Sequence, residues 1–109
     1  MISIILPIRN EVQGIEKTIQ SIISQTIEKD YKIIVADGMS TDGTREIIQE
    51  LERENPKIHL IDNPEKIVST GFNRALSISK GDYIIRVDGH SKLESDFVIN
   101  CLAKLQMVM

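Results

Sequence analysis

The sequence predicts a doubly wound α/β domain built on a mainly parallel sheet. Three observations carry this expectation. Short β-branched apolar runs recur along the chain, stretches with apolar residues at helical spacing separate them, and polar loops follow three of the four runs, two of them with glycine. The first run, Ser3 to Ile8, ends at Pro7 and the polar Arg9-Asn10-Glu11, which suits a strand buried on both faces and stopped by a loop. Ile15, Ile19, Ile22 and Ile23 then fall at i, i+4, i+7 and i+8, so four side chains share one helix face. A second run, Lys32 to Ala36, precedes a turn-rich stretch from Asp37 to Gly43 and a helix marked by Ile47, Ile48 and Leu51. Pro56 forbids continuation of that helix.

A third strand is expected over Ile58 to Ile61. Asn63-Pro64 leads from it into a helix carrying Phe72, Ala75, Leu76 and Ile78, closed by Gly81. Tyr83 to Val87 makes the fourth strand, and Phe97, Val98, Cys101, Leu102 and Leu105 make a fourth helix. Strands alternating with helices argue for parallel pairing, because parallel strands need crossovers and the helices supply them.

Composition narrows the classes of function. At 109 residues and 41% hydrophobic, the chain has the size and the apolar content for one domain, residues 1–109, with a real core. Its net charge of −3 and scattered basic residues give no footprint for a phosphate backbone, so nucleic acid is excluded as a partner. The lone Cys101 rules out an internal disulfide and a four-thiolate metal site, and its apolar surroundings place it in the core. The N-terminal run has no basic leader and is too short to span a bilayer, so the expected location is cytoplasmic, or that of the soluble part of something membrane-associated. His59 is expected as an exposed strand residue, and the charges from Glu46 to Lys57 as a solvated helix face.

In open α/β sheets the ligand sits outside the carboxyl ends of the strands. Three polar loops fall there: Arg9-Asn10-Glu11, Asp37 to Thr44, and Asp88-Gly89-His90-Ser91. Ser40, Thr41, Asp42 and Thr44 are expected to cap the helix that follows them. Asp37 directly ends its apolar run and is assigned to ligand. Asp88, with His90 two residues on, suits a divalent ion held against a diphosphate, although a structural turn accounts for Asp-Gly equally well. A dinucleotide enzyme is disfavoured, because the loop after the first strand lacks Gly-x-Gly-x-x-Gly.

The segments Ile4-Ile5-Leu6-Pro7-Ile8-Arg9-Asn10-Glu11, Ile34 to Thr44 and Gly81 to Asp88 together resemble the family 2 glycosyltransferases, in the right order over nearly the whole chain. The resemblance implies the GT-A (nucleotide-diphospho-sugar transferase) fold, here truncated, and a nucleotide-sugar donor such as a UDP-sugar. It places Pro7 and Glu11 at the base and ribose pocket, and makes Asp37 the carboxylate that contacts the nucleoside. Gly71, Asn73 and Arg74 fall in a segment that packs over the donor, with Asn and Arg in reversed order. Asp88 matches the first acid of the family's Asp-X-Asp motif and His90 stands in place of the second, a variant that resembles bacterial glucosyltransferases related to succinoglycan and exopolysaccharide synthesis. Asp88 and His90 are therefore the metal candidates, for Mn2+ or Mg2+, with His90 alternatively hydrogen-bonding the diphosphate.

By the same resemblance the catalytic base lies downstream of Met109. The chain is then expected to hold the donor site without the base or the saccharide or lipid-linked acceptor site, and to be inactive alone. Any membrane association is assigned to the missing part, at the cytoplasmic face, and a second copy is expected over the truncated sheet edge. The alternative is a non-catalytic nucleotide-binding α/β module or pseudoenzyme.

Overall fold

The computed structural model describes residues 1–25, 30–79 and 83–88. The elements run β1 (Ile2–Ile8), α1 (Ile15–Ile23), β2 (Tyr31–Asp37), α2 (Thr44–Glu54), β3 (Ile58–Asp62), α3 (Val68–Ile78) and β4 (Tyr83–Arg86). The strands form one sheet in the order β3-β2-β1-β4, with every pairing parallel. The expected doubly wound α/β sheet is therefore present. The expected fourth helix, with Cys101, lies outside the described residues, as do Gly81, Gly89 and His90.

Alternation of side chains along each strand separates two cores. Ile2, Ile4, Leu6 and Ile8 of β1 and Ile33 and Val35 of β2 pack with Ile15, Ile19 and Ile22 of α1 and with Ile48 and Leu51 of α2. Ile5, Ile34 and Ala36 pack on the other face with Ala75 of α3. Handedness explains the split. β1→β2 and β2→β3 step in one direction across the sheet, so right-handed crossovers put α1 and α2 on one face, whereas β3→β4 steps back across β1 and puts α3 on the other. β1, covered on both faces, is buried at all seven positions, and each isoleucine or leucine it contributes stabilises the fold by about 1.5–3 kcal/mol.

The differences from the expected strand ends are informative. β2 and β3 each run one residue further, so Asp37 and Asp62 are the last strand residues and not the first loop residues. Pro7 lies inside β1, paired in register with Ala36. β4 stops at Arg86 although Val87 was expected to continue it. His59 is exposed on β3, as expected. No described helix is long and apolar enough to cross a membrane.

Candidate functional site

The strand order reverses direction between β1 and β4, and this switch point is where open α/β sheets leave a crevice at their carboxyl ends. Pro7 accounts for the crevice opening where it does. The β1–β4 register ends at Ile5 and Arg86, and Val87 donates its N–H to the Ile5 carbonyl at 3.0 Å. The next rung of a parallel ladder would take an N–H from residue 7, and proline has none. β4 is released at that point. Asp88, one residue beyond the last rung, is exposed, and nothing among the described residues holds its carboxylate.

The loop after β1 is fastened to the loop after β2. Asn10 N–H donates to Ser40 Oγ at 2.8 Å, Thr41 N–H to Asn10 Oδ1 at 2.8 Å, Glu11 N–H to Thr44 Oγ1 at 2.9 Å and Val12 N–H to Asp42 Oδ2 at 3.3 Å. The capping expectation therefore holds for Asp42, whose Oδ1 accepts the N–H of Thr44, the first residue of α2. It fails for Ser40 and Thr44, whose hydroxyls take the N–H groups of Asn10 and Glu11, while Thr41 meets the neighbouring loop through its backbone N–H. Among the described residues, the non-glycine positions with left-handed backbone are Asn10, Met39 and Lys66, at φ 54°, 60° and 65°, one in each loop after β1, β2 and β3. Such conformations cost about 1–3 kcal/mol each and gather at functional edges.

The Thr44 hydroxyl, followed by the backbone N–H groups of Thr44 and Val12, holds the Asp42 carboxyl below the usual carboxylate range. Because its value is lowered on folding, the tie it makes is complete above about pH 4 and is lost as pH falls through the lower folded value. Acid titration followed by NMR is expected to move the Val12 and Thr44 amide signals together, below the pH at which free carboxylates titrate. Independent titration of the two amides would show that Asp42 does not join the loops.

Asp37 is completely buried. Its Oδ1 accepts from Ser40 Oγ at 2.5 Å, and its Oδ2 from Ser40 N–H at 3.2 Å and Arg45 Nη1 at 2.9 Å. Arg45 also pairs with Asp62 through Nη2, and the two carboxylates, Asp62 first, raise its guanidinium further above its ordinary value. Sequence reasoning missed Arg45 and Asp62. The available signal was an arginine in the first turn of a helix, where bases are unfavourable.

The loop after β3 is ordered by Asn63. Its backbone N–H reaches the Asp37 carbonyl at 2.9 Å, its Nδ2 donates to the Ile67 carbonyl at 2.8 Å, and its Oδ1 accepts from Thr70 Oγ1 at 3.0 Å. Gly71 is required beside it, because a Cβ there would stand 2.9 Å from Asn63 Nδ2. Gly38 marks the meeting of the three loops: a Cβ would lie 3.2 Å from the Ile8 carbonyl oxygen and 3.3 Å from Lys66 Cα. Arg9, whose Nε donates to the Gly38 carbonyl at 3.0 Å, packs against the same point.

The structure thus brings Pro7, Glu11, Asp37 and Asp88 to one edge. Arg74 is exposed on α3 and paired with Glu65 at 3.1 Å. His90 lies outside the described residues. A groove of about 390 Å3 between α1 and α2, lined by Glu16, Glu46, Glu50 and Glu54 with Ile47 and Leu51, would repel an anionic donor. Among the described residues no three His, Cys, Asp or Glu side chains are grouped to cage a metal. A single exposed carboxylate at the switch point fits an ion of the Mg2+ type, which is held by one or two carboxylates while substrate phosphates and water complete its shell.

A four-stranded parallel sheet with a polar edge at its switch point has the architecture of the open α/β domains that take ligands at that edge. The chain belongs to glycosyl transferase family 2, whose family model matches residues 3–107. It is 38% identical over 96 residues to the succinoglycan biosynthesis protein ExoA of Rhizobium meliloti, covering 86% of this chain and 29% of that protein. It is 32% identical over 102 residues to a chondroitin synthase of Pasteurella multocida, covering 94% of this chain and 10% of that protein. The chain thus spans less than a third of either relative. Among solved structures it is similar to the mannosyltransferase PcManGT from Pyrobaculum calidifontis in complex with GDP-Man and Mn2+, at TM-score 0.85 and 24% identity over 93% of this chain and 31% of that one. It is also similar to S. aureus TarS 1-349 in complex with UDP, at TM-score 0.81 and 21% identity over 97% of this chain and 32% of that one. The fold is GT-A.

Proposed function

We propose that the chain is the donor-binding half of an inverting, metal-dependent glycosyltransferase that moves a sugar from a nucleotide-sugar, a UDP-sugar first among them, to a glycan or lipid-linked acceptor in polysaccharide biosynthesis. The observation that carries this reading is Asp88, a carboxylate at the switch point of a family 2 sheet that is exposed and, among the described residues, unengaged. Relatives named for succinoglycan and chondroitin synthesis support the polymer class, and structural neighbours bound to UDP, or to GDP-Man with Mn2+, support the donor and the ion.

Within this reading Asp88 and His90 hold a divalent cation together with the diphosphate. When bound, that ion neutralises the charge that develops on the departing nucleoside diphosphate. Pro7 and Glu11 line the base and ribose pocket. Asp37, fully buried behind Ser40 and Arg45, serves the nucleoside through the loop it anchors. Arg74, once released from Glu65, packs over the donor. The base that takes the acceptor proton belongs to the downstream part, and the full-length protein works at the cytoplasmic face of the membrane.

Calorimetry of the full-length protein with UDP and Mn2+ tests the reading. Metal-dependent UDP binding that is lost in Asp88→Ala is the expected result. Absence of binding to UDP and, in the same experiment, to GDP would remove the donor-site reading, whereas nucleotide binding without sugar transfer would mark a non-catalytic nucleotide-binding module or pseudoenzyme.

A further inference from the structure

The first turn of a helix is electropositive, because its N–H groups have no partners, and a cation there is disfavoured by about 0.3–1 kcal/mol. Arg45 is nevertheless the second residue of α2. The cause lies in the sheet beneath it. Asp37 and Asp62 are register partners at the carboxyl ends of β2 and β3. Register partners on adjacent strands share a face about 4.8 Å apart, where like charges repel. Arg45 bridges them with two different nitrogens, Nη1 to Asp37 and Nη2 to Asp62. A lysine, a single point charge, could not reproduce this fork.

The bridge continues into the loops. Asp37, held by Arg45, fixes Ser40 through both its hydroxyl and its N–H, and Ser40 Oγ accepts the N–H of Asn10 in the loop after β1. One polar chain therefore runs Asp62–Arg45–Asp37–Ser40–Asn10, from the end of β3 to the mouth of the crevice. Asp37 is buried and needs a counter-charge, and Arg45, about a quarter exposed at 24%, is the cation that reaches it.

We propose that Arg45 is a positioning residue for the donor site, holding the loops after β1 and β2 in their ligand-ready arrangement by clamping Asp37 and Asp62. This rests on the assignment of that edge to a nucleotide-sugar. It does not require Arg45 to touch the donor.

The test uses full-length wild-type protein and the variants R45M, R45K and D62N. Two quantities are measured: hydrogen exchange at the Ser40 and Asn10 amides without ligand, and calorimetric Kd for UDP with Mn2+. R45M is expected to speed exchange at both amides and to raise Kd by about tenfold, while core amides such as Ile4 and Ile33 keep their protection. R45K falls between R45M and D62N, and D62N changes both by about threefold at most, since Asp62 is exposed. Unchanged exchange at Ser40 and Asn10 in R45M and R45K overturns the proposal. Faster exchange with unchanged Kd overturns the link to the donor and leaves the donor-site assignment standing. A wild-type protein that does not bind UDP removes that assignment and, with it, the proposed role. If R45M does not fold, R45K and D62N decide by the same two measurements.

Discussion

Replacing Asp88 by alanine in the full-length protein is expected to lower sugar transfer by about a hundred- to a thousandfold, the usual loss when one stabiliser of developing charge is removed. The side chain is exposed and holds no described neighbour, so its loss should leave the melting temperature within the small range of ordinary surface substitutions. Asp88→Asn should fall nearly as far, because an amide keeps the size and loses the charge that attracts a cation. The Mn2+ concentration needed for half-maximal rate should also rise. Transfer by Asp88→Ala within about threefold of wild type would detach this residue from the reaction, since about 1.4 kcal/mol separates each tenfold in rate.

Pro7→Ala makes a second large effect, of a different kind. The substitution restores an N–H at the position where the β1–β4 ladder stops, and Val87, already donating to Ile5, is the residue whose carbonyl a continued parallel ladder would use for the next rung. One added hydrogen bond is worth about 0.5–1.5 kcal/mol, and the loss of proline's restraint on the unfolded chain costs about 0.4–1 kcal/mol. These nearly cancel. Stability should therefore be kept while the crevice narrows and Asp88 is drawn toward β1. A displacement of about 1 Å at a reacting group can cost up to a hundredfold in rate, and a donor affinity weaker by about tenfold is expected by calorimetry. Rapid hydrogen exchange at the new amide of residue 7, together with unchanged UDP affinity, would show that proline does not open this site.

Most of the fold was legible because two periods dominate it. The isoleucines of β1 and α1 repeat at 2 and at 3.6 residues, and burial on both faces of β1 admits little but aliphatic side chains. The strand ends were harder. Asp37 and Asp62 look like loop residues in a linear reading, since nothing local announces that Arg45, eight and seventeen residues away, neutralises both. The end of β4 was misplaced for a similar reason: Val87 suits a strand, and what stops the pairing is proline in another strand, eighty residues earlier in the chain. Ser40 and Thr44 carry the side chains of helix caps, and only the approach of the Asn10–Glu11 loop reassigns their hydroxyls. Local pattern gives elements, but long-range pairing decides which polar group serves which partner.

The lacing of the first two loops has a consequence for how such a protein can change over generations. Asn10 is matched to Ser40 and Thr41, Glu11 to Thr44 and Val12 to Asp42, so the two segments behave as one heritable unit although about thirty residues of chain separate them. Substitutions within such a set are expected to be non-additive, by about 0.5–3 kcal/mol for residues in contact. A graft that imports the β2–α2 loop of a relative alone should then lose more stability than one that imports both loops, and equal losses in the two chimeras would show that the segments drift independently.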